Sequence, residues 1–422
     1  MGLFRKLGIT EPVIKSIEEQ KFEKPSEIQE KSIPLILAGK DVIAGSATGS
    51  GKTLAFASAI IEHSQKIRRI QALVMTPTRE LAEQVAKEIR KFAKHKPLEI
   101  VTVYGGVAIN PQIDKLRVAD VVVGTPGRLL DHINRRTVDF RNAKILVLDE
   151  ADRMFDMGFI DDVEAIIRQC PQKRQTMLFS ATITDDVAHI ARRYMNNPVR
   201  VSAESQVDPK KLLQFYYDIP DNMKLSLLVH LLKTESTKLV MVFCNTQATT
   251  NFVAHNLKAQ GINALATHGG LSQDKRTRTM EQFHSQEVTV LVCTDVAARG
   301  LDIKGVSHVY NYDIPRDSRQ YIHRIGRTAR AGKDGKAVSL LSQKDYENYD
   351  RVLRDNDVTI HKIERPQVER IETRQAERTH SGNYGRRPQG GGNFGRRGES
   401  REERSEARGN GPFHKRFSRP RR

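Results

Sequence analysis

No stretch of this chain approaches the roughly 20 consecutive apolar residues that a membrane-spanning helix needs, and its first residues lack the apolar core of a secretory signal. Both absences point to a soluble protein, with the cytoplasm as the expected compartment and no membrane as partner. Cysteine is scarce as well. Cys170, Cys244 and Cys293 are odd in number and far apart, which excludes a disulfide framework or a zinc site and leaves reduced structural thiols. The opening Met1-Gly2-Leu3-Phe4-Arg5-Lys6 begins like an acylation signal, but Lys6 stands where a hydroxyl residue is needed, so an ordinary first helix is expected. Negative charge is in deficit too: 51 Asp and Glu face 69 Lys and Arg, a formal +18. That balance favours a polyanionic partner.

What is abundant is alternation. From residue 41 to 197 short β-branched runs alternate with helical stretches: Asp41-Val42-Ile43-Ala44, Ala72-Leu73-Val74-Met75, Asp120-Val121-Val122-Val123, then 144–148 and 175–179. Such a rhythm predicts a parallel sheet with helices on both faces. It restarts after Pro209, with candidate strands at 239–243, 264–266, 288–292, 308–310 and 337–341. At 422 residues the chain exceeds what one core organises, and 38% apolar residues suffice for two. The expectation is an α/β chain of two lobes, 1–202 and 212–363, joined by a polar linker at 203–211 that lets a cleft open and close. Beyond residue 364 aliphatic residues nearly vanish, so 364–422 is expected to be disordered. From Arg365 onward sixteen Lys and Arg face seven Asp and Glu, a net +9 that is half of the chain's charge.

The first strand runs into Ser46-Ala47-Thr48-Gly49-Ser50-Gly51-Lys52-Thr53 and then the helical Leu54-Ala55-Phe56-Ala57, the order of strand, phosphate loop and helix. The glycines let backbone N–H groups face phosphate oxygens and the helix start adds a positive dipole end. Lys52 reaches the outer phosphates, and Thr53 offers its hydroxyl to Mg²⁺. Ser46 stands where the usual pattern has glycine, and a small residue suffices there. The run 144–148 ends in Asp149-Glu150-Ala151-Asp152, at the carboxyl edge where parallel sheets bind ligands. Asp149 is placed to hold Mg²⁺. Glu150 is placed to orient and deprotonate the attacking water, because phosphoryl transfer needs positioning and charge neutralisation more than covalent help.

With these elements in order, residues 4 to 363 resemble the DEAD-box family of RNA helicases. Phe22-Glu23-Lys24-Pro25-Ser26-Glu27-Ile28-Gln29 is similar to that family's adenine-reading block, with the aromatic Phe4 at a suitable distance upstream. The resemblance implies that Gln29 reads the adenine edge, its carboxamide offering both donor and acceptor. Pro77-Thr78-Arg79-Glu80-Leu81-Ala82, Gly105-Gly106 and Thr125-Pro126-Gly127-Arg128 resemble the RNA-backbone contacts of the first lobe. In the second lobe the matching blocks are Val242-Phe243-Cys244-Asn245-Thr246, His268-Gly269-Gly270, Gln273 with Arg276, and Thr294-Asp295-Val296-Ala297-Ala298-Arg299-Gly300-Leu301-Asp302. The family assigns most of these to RNA and Asp302 to ribose. Ser180-Ala181-Thr182 resembles the block that couples nucleotide to RNA, through hydroxyl hydrogen bonds to the acidic cluster, and His323 falls in the same coupling role. The closing block His323-Arg324-Ile325-Gly326-Arg327-Thr328-Ala329-Arg330 implies arginine fingers at Arg327 and Arg330. Departures from the family pattern are Lys21 for Gly, Ser26 for Thr, Ser46 for Ala or Gly, and Ala329 for Gly, the last of which forbids an easy positive φ.

The resemblance thus implies two tandem RecA-like domains, ATP and Mg²⁺ as cofactors, and RNA-dependent ATP hydrolysis that locally separates short duplexes as the lobes close. RNA, single-stranded or in short duplexes, is the expected partner, bound largely without regard to sequence. Ribosomal or RNA-decay proteins are further candidates, and the expected state is a monomer. The same residues would serve an ATP-gated RNA clamp or an RNA chaperone; a DNA helicase is the remoter alternative. In the tail, Gly385-Arg386-Arg387 and Gly395-Arg396-Arg397-Gly398, with Tyr384, Phe394, Phe413 and Phe417 between and beyond them, suit RNA tethering by phosphate attraction and base stacking.

Overall fold

A computed structural model describes residues 2–45, 50–202, 212–298, 303, 305–329, 334–355 and 358–373. The first half supplies β1 (Val42–Gly45), β2 (Ala72–Met75), β3 (Ile100–Val103), β4 (Val121–Gly124), β5 (Ile145–Asp149), β6 (Gln175–Ser180) and β7 (Val199–Ser202). They form one seven-stranded sheet in the order β3-β4-β2-β5-β6-β1-β7. The second half supplies β8 (Leu212–Asp218), β9 (Leu239–Cys244), β10 (Ala264–Thr267), β11 (Val290–Thr294), β12 (Val306–Asn311), β13 (Gly335–Leu341) and β14 (His361–Lys362). Their order is β10-β11-β9-β12-β13-β8-β14, the first order repeated rank for rank. Every pairing is parallel. The two RecA-like lobes are therefore one architecture built twice.

The strand period explains the near-continuous apolar runs. In β2, Ala72 and Val74 join the core on one face of the sheet while Leu73 and Met75 join the core on the other, so helices cover both faces and every position must be apolar. β1 lies between β6 and β7, with Val42 opposite Met177 and Val199. Just before it, the Asp41 carboxylate accepts from the N–H groups of Thr176 and Asn196, both at 2.7 Å, and pins all three segments at their start.

Strands β3, β7, β8 and β14 add to those expected from the sequence. The expected end of the packed chain is corrected: it continues past residue 364 to Ile371. Val368 and Ile371 pack on the second-lobe core, and the Ile371 N–H donates to Ser226 Oγ at 3.1 Å. Two aliphatic side chains in a polar run are enough to anchor this strap. The linker 203–211 and residues 374–422 lie outside the described residues. All three cysteines are free and buried, and no described helix is long and apolar enough to cross a membrane.

The duplication reaches the helices that follow β1 and β8, which start at Lys52 and Lys224. Before Lys224 the turn reads Ile219-Pro220-Asp221-Asn222-Met223, with no glycine loop. Lys224 is fully buried, donates to the Tyr312 carbonyl at 3.0 Å and sits 2.5 Å from Asp345 Oδ2. That carboxylate also accepts from the Ser342 N–H and hydroxyl.

Candidate nucleotide and RNA site

At the carboxyl edge of the first sheet, Gly51 caps the helix Lys52–His63 with φ +87°, a left-handed conformation that favours glycine. A Cβ here would also collide with the Gln29 carboxamide. Of the phosphate loop, Ser46, Ala47, Thr48 and Gly49 lie outside the described residues, while Ser50, Gly51, Lys52 and Thr53 are in place. Lys52 Nζ lies 2.6 Å from Asp149 Oδ1 and 3.7 Å from Glu150 Oε1, all three groups being buried. Burial works against the lysine's charge, but the two carboxylates outweigh it and hold its pKa above the ordinary value. Burial raises the Asp149 carboxyl, with Lys52 opposing. A hard divalent cation takes an all-oxygen ligand set, and the buried Asp149 carboxylate with the Thr53 hydroxyl, one residue after Lys52, fits that requirement.

Glu150 adopts φ +53°, a left-handed backbone that costs a non-glycine residue on the order of 1 kcal/mol and tends to persist at functional sites. Its Oε2 lies 3.2 Å from the buried Arg153 guanidinium. Asp152 Oδ2 accepts from the Thr182 N–H at 3.0 Å and its hydroxyl at 2.9 Å, and the Asp152 N–H donates to Ser180 Oγ at 3.2 Å. The hydroxyl link between Ser180, Thr182 and the acidic cluster is thus present as expected.

Gln29 is 2% exposed. Its Oε1 accepts from the Ser26 N–H at 3.0 Å, its Nε2 donates to the Gly51 carbonyl at 2.9 Å, and Ser26 Oγ donates to the Ser50 carbonyl at 2.7 Å. The block 22–29, expected to read adenine, is therefore wired directly to the phosphate loop. Phe22 is half-buried, its ring 6.2 Å from that of Phe92. Phe4 corrects the expectation placed on it: at 0% exposure it belongs to the first-lobe core, with no ring face open to a base.

The RNA blocks gather on one rim. A groove of about 470 Å³ is lined by Pro77, Thr78, Arg79, Glu80, Gly105, Thr125, Gly127 and Arg128 of the first lobe and by Gly269 and Arg276 of the second. Pro126 is buried at the start of the helix Pro126–Asn134, behind Gly127. Glu80 bridges the lobes, 2.9 Å from Arg276 and accepting from Gln273 Nε2 at 3.1 Å. Gly106 adopts φ +79°, and a Cβ there would strike the Arg79 guanidinium. Met157 and Phe159, which the sequence reading passed over, also line the groove, as does Val296 of the 294–302 block. Thr294 is buried at the end of β11. Arg299, Gly300, Asp302 and Arg330 lie outside the described residues.

Two second-lobe residues of the expected RNA set are also tied into the fold. His268 is 4% exposed, with Nδ1 accepting from the Gly270 N–H and Nε2 bonded to Asn251 Oδ1 at 2.9 Å. Both ring nitrogens are engaged in holding the turn, so His268 shapes the Gly269-Gly270 loop from within. Asn245 commits its carboxamide to the Ile314 carbonyl at 2.7 Å and to Arg324 Nη2 at 2.8 Å. Arg324, which the sequence reading left without a role, is 1% exposed. It grips Asp295 through two N–H donors at 2.7 and 2.6 Å, the Asp313 carbonyl at 2.6 Å and Asn245. A charged residue beside the buried Tyr321 and Ile325 on one helix was the available signal. Arg324, His323 and Arg327 line a small cleft together with Arg153 of the first lobe, so the closing block faces the partner of Glu150.

A phosphate-loop lysine and an acidic pair on one parallel-sheet lobe, with arginines of a second lobe of the same topology beside Arg153, define a two-lobed nucleotide-binding fold. Residues 26–190 match the DEAD/DEAH box helicase family and residues 223–332 the helicase conserved C-terminal domain. Over 349 residues, 82% of this chain, it is 45% identical to the ATP-dependent RNA helicase CshA of Listeria monocytogenes and to the DEAD-box ATP-dependent RNA helicase CshA of Geobacillus kaustophilus. The match spans 67% and 74% of those proteins, respectively. The structure of Dbp5 from S. cerevisiae bound to RNA and ADP BeF3 superimposes with a TM-score of 0.78 at 32% identity, covering 86% of this chain and 95% of that one. The chain belongs to the DEAD/DEAH box helicase family.

Proposed function

We propose that the protein is an RNA-dependent ATPase that remodels short RNA duplexes and RNA–protein complexes. The observation that carries this is the division of labour: Lys52, Asp149 and Glu150 lie on one lobe and Arg327 on the other, while the RNA groove draws residues from both. The names of the relatives and the RNA and nucleotide in the Dbp5 structure support it. Lys52 exchanges its contact with Asp149 for the outer phosphates of ATP. Glu150 orients the attacking water and accepts its proton, while the γ-phosphoryl group transfers to that water and the electron pair leaves on the β-phosphate oxygen. Arg327 and Arg330 neutralise the developing charge. Mg²⁺, held by Asp149 and Thr53, supplies further charge neutralisation on the phosphates. Gln29 and Phe22 hold the adenine and Asp302 the ribose.

RNA and ATP each favour closure, so each raises the other's affinity by the same factor. The groove residues of both lobes take the sugar-phosphate backbone, which makes binding largely independent of sequence. The arginine-rich segment beyond Thr373 tethers RNA. We place the protein in the cytoplasm as a monomer, with ribosomal or RNA-decay proteins as possible associates. Steady-state ATP hydrolysis alone, with RNA and with matching DNA, and with Glu150→Gln as the blank, tests the proposal. Stimulation by RNA only is the expected result; equal stimulation by DNA, or none, would sink it.

A further inference from the structure

We propose that Gln112 is the positioning residue of the first-lobe RNA loop, residues 104–108, and tunes RNA affinity without touching RNA. The inference rests on the RNA-dependent reading above.

Gln112 lies on the helix Asn110–Leu116 and is 7% exposed, while Gly106, Val107 and Ala108 of the loop are exposed. Its Nε2 donates to the Tyr104 carbonyl at 3.1 Å and the Ala108 carbonyl at 3.4 Å, and its Oε1 accepts from the Tyr104 N–H at 3.3 Å. One carboxamide thus ties both ends of a five-residue loop. From the outer side Arg128 Nη2 donates to the Val107 carbonyl at 3.1 Å, and the Arg79 guanidinium covers Gly106. Three side chains from three helices hold one short backbone segment.

The consequence follows from the peptide plane. In a trans peptide the N–H points opposite to the C=O of the same unit. Pinning the carbonyls of Tyr104 and Ala108 against Gln112 therefore turns the N–H groups of Gly105 and Ile109 away from it. Gly105 lines the groove, so its N–H is fixed as a donor at the place where phosphate oxygens are bound, and backbone donors of this kind position nucleic-acid backbones. Without Gln112 the loop would sample other peptide orientations, and RNA binding would have to order it.

The test compares wild type with Gln112→Ala and Gln112→Glu, the latter keeping shape and acceptor but losing the donor. RNA-stimulated ATP hydrolysis is titrated with single-stranded RNA, alongside the KM for ATP without RNA and the thermal midpoint. The half-saturating RNA concentration should rise roughly five- to tenfold in both variants, as for the loss of one or two buried hydrogen bonds. The rate at saturating RNA and the RNA-free KM for ATP should stay within about twofold. Adding Arg128→Ala to Gln112→Ala should weaken RNA by less than the product of the single effects, since both hold the same loop. An unchanged RNA titration with only a lowered thermal midpoint would reduce Gln112 to a fold residue and overturn the inference. Wild type that ignores RNA would instead overturn the RNA-dependent reading, and the inference with it.

Discussion

Lys52 Nζ and Asp149 Oδ1 lie 2.6 Å apart, sealed from solvent, so the cation proposed to take phosphate is neutralised by the carboxylate proposed to hold metal. Lys52→Ala should therefore do more than abolish ATP use. Removing one member of a buried ion pair leaves the other uncompensated and costs about 3–5 kcal/mol. Lys52→Ala combined with Asp149→Asn should recover much of that loss while staying inactive. Urea unfolding of the three proteins checks it, and equal stability of wild type and Lys52→Ala would show that the pair does not lock the site.

Arg324 carries a different weight. It donates to Asp295, Asn245 and the Asp313 carbonyl, and its guanidinium lies 5.3 Å from the centroid of the Phe243 ring. Lysine cannot reproduce a planar fork of donors. Arg324→Lys should destabilise the second lobe by about 2–4 kcal/mol and lower hydrolysis through misplacement of Arg327. A stable Arg324→Lys protein with normal turnover would contradict this role.

Two of the positions where the family pattern has glycine are filled here by Lys21 and Ala329, and both adopt positive φ, +57° and +55°. The chain keeps the left-handed turn and carries the strain. Ala329→Gly should leave activity intact and raise stability by up to about 1 kcal/mol. Denaturant midpoints decide the matter; a destabilised glycine variant would mean that the methyl group's packing outweighs the backbone strain.

Glu235 gathers side chains from two neighbouring strands, β12 and β13. It accepts from Lys336 Nζ at 2.8 Å and the Tyr310 hydroxyl at 3.3 Å, and lies 3.2 Å from His308 Nε2. Burial would raise its carboxyl, but His308 and Lys336 outweigh burial and bring it down to about 2 from an ordinary 4.5. A carboxylate depressed in this way stabilises the fold above its unfolded pKa and loses that contribution as pH falls toward the folded value. Glu235→Gln should thus be less stable than wild type near pH 7, with the gap closing below about pH 4.5. A gap that stays constant down to about pH 3 would assign the effect to shape and not charge.

Much of this architecture is legible in the chain because a strand covered on both faces must be apolar at every position, as β2 and β4 are. Two of the missed strands are exceptions to that rule. β7 alternates half-buried Val199 and Val201 with exposed Arg200 and Ser202 at a sheet edge, and reads as a polar connection. β14 is two exposed residues held by register with Phe215 and Tyr216. Site residues were legible by type and order, since Lys52, Asp149, Glu150 and the groove loops all follow strand ends. What residue type does not reveal is how many polar atoms a side chain has left after folding. His268 has spent both nitrogens, and Phe4 has buried its ring. Arg324 and Gln112 are the converse: internal polar side chains whose importance appears only once their partners are in place.

The Lys224–Asp345 pair closes the second lobe's counterpart of the Lys52 position. In the lobe where Lys52 awaits a phosphate, the complementary charge can be exchanged. In the repeated lobe Asp345 supplies a permanent carboxylate to the lysine of the same rank, and the preceding turn has no glycines to admit anything else. The duplicated fold has thereby become asymmetric, one lobe keeping its lysine at the end of a glycine loop and the other sealing its lysine against a carboxylate.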